Sequence, residues 1–191
     1  MSYVQHMDAT GLTVWTVGHS NKTIDDFLTL LRAHQIGVVA DVRRFPGSRR
    51  YPHFGQEQLV PALREKGIDC AHFEDLGGRR AAKKDSRNST WRNEGFRGYA
   101  DYMETSDFQN GIERLLETVR ERRTAIMCAE ALWWQCHRSM IADYLMSVGA
   151  EVLHILGTEK TEPHRYSAPA RIVNGQLTYQ AEATEQQFLL K

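Results

Sequence analysis

Residues 124–157 read TAIMCAEALWWQCHRSMIADYLMSVGAEVLHILG, and this stretch decides the fold. Thr124 to Cys128 is an apolar run of strand length. From about Cys136 to Val148 the residues Ile141, Leu145 and Val148 share one helical face, and Gly149 ends that helix. Val152 to Leu156 is a second apolar run. A strand, a helix and a strand in this order make a crossover unit with parallel strands.

The same alternation extends upstream. Thr13 to Val17, Val38 to Val42 and Ile68 to Phe73 read as three further strands. Thr23 is the expected N-cap of a first helix, with Asp26 completing a capping box and Ile24, Phe27, Leu28 and Leu31 on one face. Gln56 to Lys66 reads as a second helix closed by Gly67, and Pro61 predicts a late start or a bend. A short helix is expected near Tyr99 to Met103. The next helix is expected to be capped by Ser106 with Gln109 as its partner, burying Phe108, Ile112, Leu115 and Val119. Downstream, ARIV-NG-QLTY (residues 170–179) predicts a hairpin, because Asn-Gly suits a type I′ turn. The expected fold is therefore one α/β, Rossmann-like three-layer domain. Its mainly parallel sheet has about five strands, and a C-terminal hairpin follows. Residues 1–12 form a loose N-terminal segment, 13–157 the α/β domain, and 158–191 a tail whose hairpin packs on that domain.

The chain has 191 residues and a net charge of zero, so global charge selects no partner. Locally, residues 43–98 hold 13 Lys and Arg against seven Asp and Glu, which leaves the rest of the chain with a net charge of −6. That imbalance is either a solvated surface or an anion-attracting region. Three cysteines without a signal peptide argue against a secreted disulfide scaffold, and no apolar run is long enough to cross a membrane. The expected location is the cytoplasm, with no membrane partner and no cofactor.

Open α/β sheets bind ligands outside the carboxyl ends of their strands. The segments there are polar: His19-Ser20-Asn21, Arg43-Arg44, Glu74 to Arg79, Cys128 to Arg138, and His154 onward. The loops at the opposite end look like plain connections. The candidate catalytic residues are Cys128, Glu130, His137 and His19. The candidate substrate-binding residues are Arg43, Arg79, Arg138, Ser20, Asp41, Gly77 and Gly78. A thiol near a helix N-terminus can have a lowered pKa, and Arg138 can clamp a phosphate or carboxylate. Each residue also has a plainer reading. Cys128 can be the last core residue of its strand, Cys70 and Cys136 core packing, Glu130 an ion-pair partner of Arg138, and Asp41 an organiser of Arg43. His154, in an apolar strand, reads as a satisfied core histidine. Trp133-Trp134 reads as a lid, a stacking platform or a packing anchor.

Together, Gly18-His19-Ser20, Asp41-Val42-Arg43, Leu76-Gly77-Gly78 and Cys128-Ala129-Glu130…Cys136-His137-Arg138 resemble the domain-of-unknown-function 488 family over roughly residues 13–157. That resemblance implies a shared site and carries no established reaction. The order of parts is also similar to rhodanese sulfurtransferases and cysteine phosphatases, which hold a cysteine thiolate in a tight anion-cradling loop. Here nine residues separate Cys128 from Arg138, so that compact cradle cannot form in the same way.

Three functions follow as expectations. The first is a hydrolase or group transferase acting on an anionic, phosphate- or nucleotide-like substrate. The second is a nucleic-acid-binding or DNA-repair-associated protein, in which loops 43–54 and 79–98 offer Arg and Lys beside Phe45, Tyr51, Phe54, Trp91 and Phe96. The third is a metal protein using Cys128, Glu130, Cys136 or His137. It ranks last because the cysteines lie too far apart for a zinc pair and no second pair exists.

Overall fold

The structure is a computed structural model describing residues 7–47 and 50–181. Its core is a six-stranded sheet made of β1 (Thr13–Gly18), β2 (Val38–Asp41), β3 (Asp69–His72), β4 (Thr124–Cys128), β5 (Glu151–Gly157) and β6 (Lys160–Pro163), in the order β3-β2-β4-β1-β5-β6. The first five are parallel and β6 is antiparallel to β5. The edge strand β6 is an addition to the five expected strands. Its sequence, Lys-Thr-Glu-Pro, has no apolar periodicity, and only its pairing with β5 makes it a strand.

Helices cover both faces, as buried parallel strands require. Phe27, Leu28 and Leu31 of α1 (Ile24–Ala33) and Leu59 and Leu63 of α2 (Gln56–Glu65) pack with Val17, Val39 and Met127 on one side. On the other side, α3 (Glu94–Met103), α4 (Ser106–Glu121) and α5 (Arg138–Ser147) pack with Val14, Ile126 and Cys128. The α1 start is the capping box expected: the Thr23 hydroxyl accepts from the Asp26 N–H and donates to its carboxylate. At α4 the cap is Thr105 rather than Ser106, one residue earlier. Helix α2 begins at Gln56 despite Pro61. Both Pro61 and Glu57, whose carbonyl loses a partner to it, are exposed, so water can satisfy that carbonyl.

The hairpin β7 (Arg171–Val173) to β8 (Gln176–Thr178) turns at Asn174 and Gly175, both with positive φ. Tyr179, just beyond it, is buried against the α3–α5 layer. Of the N-terminal segment expected to be loose, residues 1–6 lie outside the described residues. Ala9 is fully buried and bonds the carbonyl of Val148. No helix among the described residues is long and apolar enough to cross a membrane.

The topology selects one crevice. From β1 the chain leaves through α1 toward β2. From its neighbour β4 it leaves through α5 toward β5 on the other side. The two connections run on opposite faces of the sheet, which makes the carboxyl ends of β1 and β4 the switch point where such sheets place their sites.

Candidate functional site

Gly18 ends β1 and Cys128 ends β4, paired across the sheet. Beyond them the His19 N–H donates to the Cys128 carbonyl at 3.1 Å and the Ser20 N–H to the Ala129 carbonyl at 2.9 Å. A Cβ at position 18 would lie 1.9 Å from the Glu130 carbonyl oxygen and 2.9 Å from Arg138 Nη1. Only glycine lets the segment after β4 fold back over the strand end.

Arg138 is the first residue of α5 and is 2% exposed. Its Nη1 donates to the Val17 carbonyl at 3.1 Å, the Glu130 carbonyl at 2.8 Å and the Cys128 sulfur at 2.7 Å; Nη2 donates to the Ala131 carbonyl at 3.0 Å. Among the described residues no carboxylate lies within ion-pair distance of it. Burying an ion costs several kcal/mol unless it is compensated. The carbonyl dipoles offset part of this cost, and the one neighbour able to carry a full negative charge is the Cys128 sulfur.

The Cys128 thiol responds accordingly. Burial pushes its pKa up, but the Cys136 hydrogen bond, the Arg138 charge and the hydrogen bonds from Glu130 and Arg138 outweigh burial and bring it down to about 7. Cys136, whose sulfur is 2.8 Å away, is the donor. Burial, then the hydrogen bond and charge of Cys128, hold its own pKa well above the ordinary range. Cys136 also lies 3.4 Å from His137 Nδ1. His137 Nε2 donates to the Val42 carbonyl at 3.1 Å, which leaves Nδ1 as an acceptor. Burial first, with Arg138 adding to it, lowers the His137 pKa to about 4, so the ring is neutral at pH 7. Gly78 lies against that ring: a Cβ there would be 2.8 Å from Nδ1. The single Cys136 S–H thus stands between two acceptors, the Cys128 sulfur and His137 Nδ1.

The other expected residues divide into two groups. Arg43 is buried and paired twice with Asp41, Nε to Oδ1 at 2.8 Å and Nη2 to Oδ2 at 2.6 Å. Its Nη1 serves the Phe54 carbonyl and His19 Nε2. Asp41 therefore neutralises and orients Arg43. His19 is stacked on Phe54, and burial, then the Arg43 charge, lower its pKa to about 4. Gly77 admits the Arg44 backbone, whose Cα would be 2.8 Å from an added Cβ. Arg79, at φ +59°, is exposed, and its carbonyl accepts from Arg44 Nη1. The Glu130 side chain is also exposed. It is the Glu130 carbonyl, not its carboxylate, that meets Arg138, so the expected ion pair is replaced by a backbone contact. Cys70 is driven to a pKa of about 12, chiefly by burial.

For Cys136 the sequence offered core packing or a helix-start thiol of lowered pKa; the structure buries it against Cys128 and raises its pKa instead. Sequence reasoning missed a second network. Asp143, fully buried on α5, accepts from His164 Nε2, the Ser167 N–H and hydroxyl, and the Tyr179 hydroxyl. His164 Nδ1 meets His154 Nε2 at 2.9 Å, and His154 Nδ1 meets the Thr16 hydroxyl at 2.7 Å. Trp133 stacks on His154 at 4.3 Å. An acid inside an otherwise apolar helix face was the available signal. This network ties the C-terminal tail and the 129–135 segment to the sheet.

The aromatic residues offered as stacking surfaces for nucleic acid are mostly engaged. Phe54 is buried, and Trp91 packs on Phe96 and Tyr179. Phe45 alone of the five is largely exposed, at 60%. Ser48 and Arg49, within that basic stretch, lie outside the described residues. Among the described residues no group of three or more His, Cys, Asp or Glu is arranged to hold a metal ion.

The family described as Domain of unknown function DUF488 matches residues 23–145. No curated protein and no solved structure matches the chain. The similarity in motif order to rhodaneses and cysteine phosphatases thus has no counterpart among these comparisons. The recorded neighbours of the Cys128 sulfur are the Glu130 carbonyl, the Arg138 guanidinium and the Cys136 thiol.

Proposed function

The chain belongs to the family described as Domain of unknown function DUF488, and from that premise we propose that it is a hydrolase or group transferase working through the Cys128 thiolate on an anionic substrate. The single observation that carries this reading is the buried Arg138 guanidinium, whose one ionisable hydrogen-bond partner among the described residues is the Cys128 sulfur at 2.7 Å. A thiolate, not a thiol, is the nucleophile, and a neighbouring cation is the usual means of keeping it ionised near neutral pH.

In this reading the sulfur attacks an electrophilic phosphorus or sulfur atom. A bond from Cys128 to that atom forms, and the bond to the leaving group breaks, with its electron pair departing on the leaving group. Water or a second acceptor then takes the group and restores the thiolate. The anionic preference is supported by Lys22, Arg44, Arg79 and Arg80 on the loops leaving the strand ends. Cys128 is 1% exposed, so substrate reaches it when residues 129–135 move aside. That segment carries the exposed Leu132 and Trp134 at its surface.

The test is incubation with 4-nitrophenyl phosphate and, separately, thiosulfate, followed by intact mass and peptide mapping. A covalent group on Cys128, and turnover lost in Cys128→Ser, are expected with at least one of the two. Turnover that survives in Cys128→Ser, or no adduct and no turnover with either, refutes the reading.

A further inference from the structure

We propose that Cys128 and Cys136 are a redox pair: a hydroperoxide oxidises Cys128, and Cys136 resolves the product as an internal disulfide. In the group-transfer reading Cys136 serves only as hydrogen-bond donor to Cys128, yet the structure places its sulfur 2.8 Å from that of Cys128. Both cysteines are anchored, one by the end of β4 and the other at the start of α5. Bonding their sulfurs requires only a sub-ångström approach. The Cys128 site is closed to bulky oxidants, which favours a small hydroperoxide over a protein disulfide.

The steps balance as follows. The Cys128 thiolate attacks the terminal peroxide oxygen, forming an S–O bond. The O–O bond breaks, and its electron pair leaves on the alkoxide, which takes a proton from solvent. Arg138 Nη1, against the sulfur, keeps Cys128 ionised for this attack. Cys136 then gives its proton to His137 Nδ1, 3.4 Å away, and attacks the Cys128 sulfur. The S–S bond forms, the S–O bond breaks, and hydroxide leaves with that proton as water. Two thiols are oxidised, and the hydroperoxide becomes an alcohol and water. The disulfide leaves the Arg138 cation with carbonyl partners alone, so oxidation loosens the 129–135 segment that carries Trp133 and Trp134.

Trypsin releases both cysteines on one peptide, residues 124–138, whereas cleavage after Glu130 lies between them. The purified protein is treated with hydrogen peroxide and mapped without reductant. The expected result is a 124–138 peptide lighter by two hydrogens whose halves stay joined after cleavage at Glu130, with Cys70 unlinked and tryptophan emission shifted reversibly by dithiothreitol. Cys136→Ser should instead hold a sulfenic acid on Cys128, trapped by dimedone. The proposal is overturned if the wild type accumulates sulfenic, sulfinic or sulfonic acid on Cys128 without the internal bond, if Cys128 links to Cys70, or if the thiols resist peroxide. Because mapping needs no substrate, a failed group-transfer assay leaves this test intact.

Discussion

Replacing Arg138 by Met removes the guanidinium and keeps a long apolar stem, while taking its N–H donors from the Val17, Glu130 and Ala131 carbonyls. The consequence can be worked from the Cys128 surroundings. Burial is the largest influence on that thiol and acts against ionisation. The Arg138 charge and hydrogen bond are among the influences that reverse it and bring the pKa to about 7. Without them the pKa moves back toward the ordinary 9.0. At pH 7 the thiolate fraction then falls from about one half to about 1%, so alkylation by iodoacetamide slows ~50-fold. The assay is the pH dependence of Cys128 alkylation, read by mass on the 124–138 peptide, with circular dichroism to confirm folding. Glu130→Gln is the control, since the backbone carbonyl at that position makes the contact, and its profile should match the wild type. An inflection that stays near 7 in Arg138→Met refutes the reasoning.

Three further outcomes follow. Gly18→Ala drives a methyl into the Glu130 carbonyl, at 1.9 Å from it, and should cost ~3 kcal/mol in urea denaturation while speeding alkylation of Cys128; a wild-type midpoint contradicts the close packing. Asp143→Ala leaves His164, Ser167 and Tyr179 without their common acceptor and should destabilise by ~3 kcal/mol, with faster hydrogen exchange in residues 160–181; unchanged exchange there removes the tethering role. His19, His137 and His154 all have folded pKa values below their ordinary 6.5, at about 4, 4 and 3, each primarily through burial. The unfolded chain therefore binds protons first, and stability should fall as pH drops from about 6.5 toward 4, by several kcal/mol in all; a thermal midpoint flat across that window contradicts the buried neutral histidines.

How much the sequence disclosed depended on the kind of signal. The βαβ reading of residues 124–157 held because Ile126, Met127 and Ile141 advertise burial by pattern, and the Asn174-Gly175 turn held because its chemistry is local. The strand ends facing the crevice followed from topology alone. What was hidden is long-range. The edge strand β6 exists through its partner β5, and nothing in Lys160–Pro163 announces it. The choice of Thr105 over Ser106 as cap is a one-residue matter of helix phase. At the site, spacing excluded a compact cradle between Cys128 and Arg138, and the intervening residues instead loop out and let the guanidinium touch the sulfur. Side-chain identity pointed to the Glu130 carboxylate, whereas its carbonyl is the group used. Arg43 was offered to an anion, with Asp41 as its organiser in the plainer reading, and the geometry shows that plainer pairing.

The claim beneath all of this is that a buried cation draws the Cys128 pKa down to about 7, so that a large share is thiolate near neutral pH. Ultraviolet thiolate absorbance, followed through a pH titration of the reduced native protein and of Cys128→Ser, addresses it directly. The account predicts an inflection at about pH 7 in the wild type that vanishes in the variant. Thiolate absorbance that begins only near pH 9 in both proteins contradicts it.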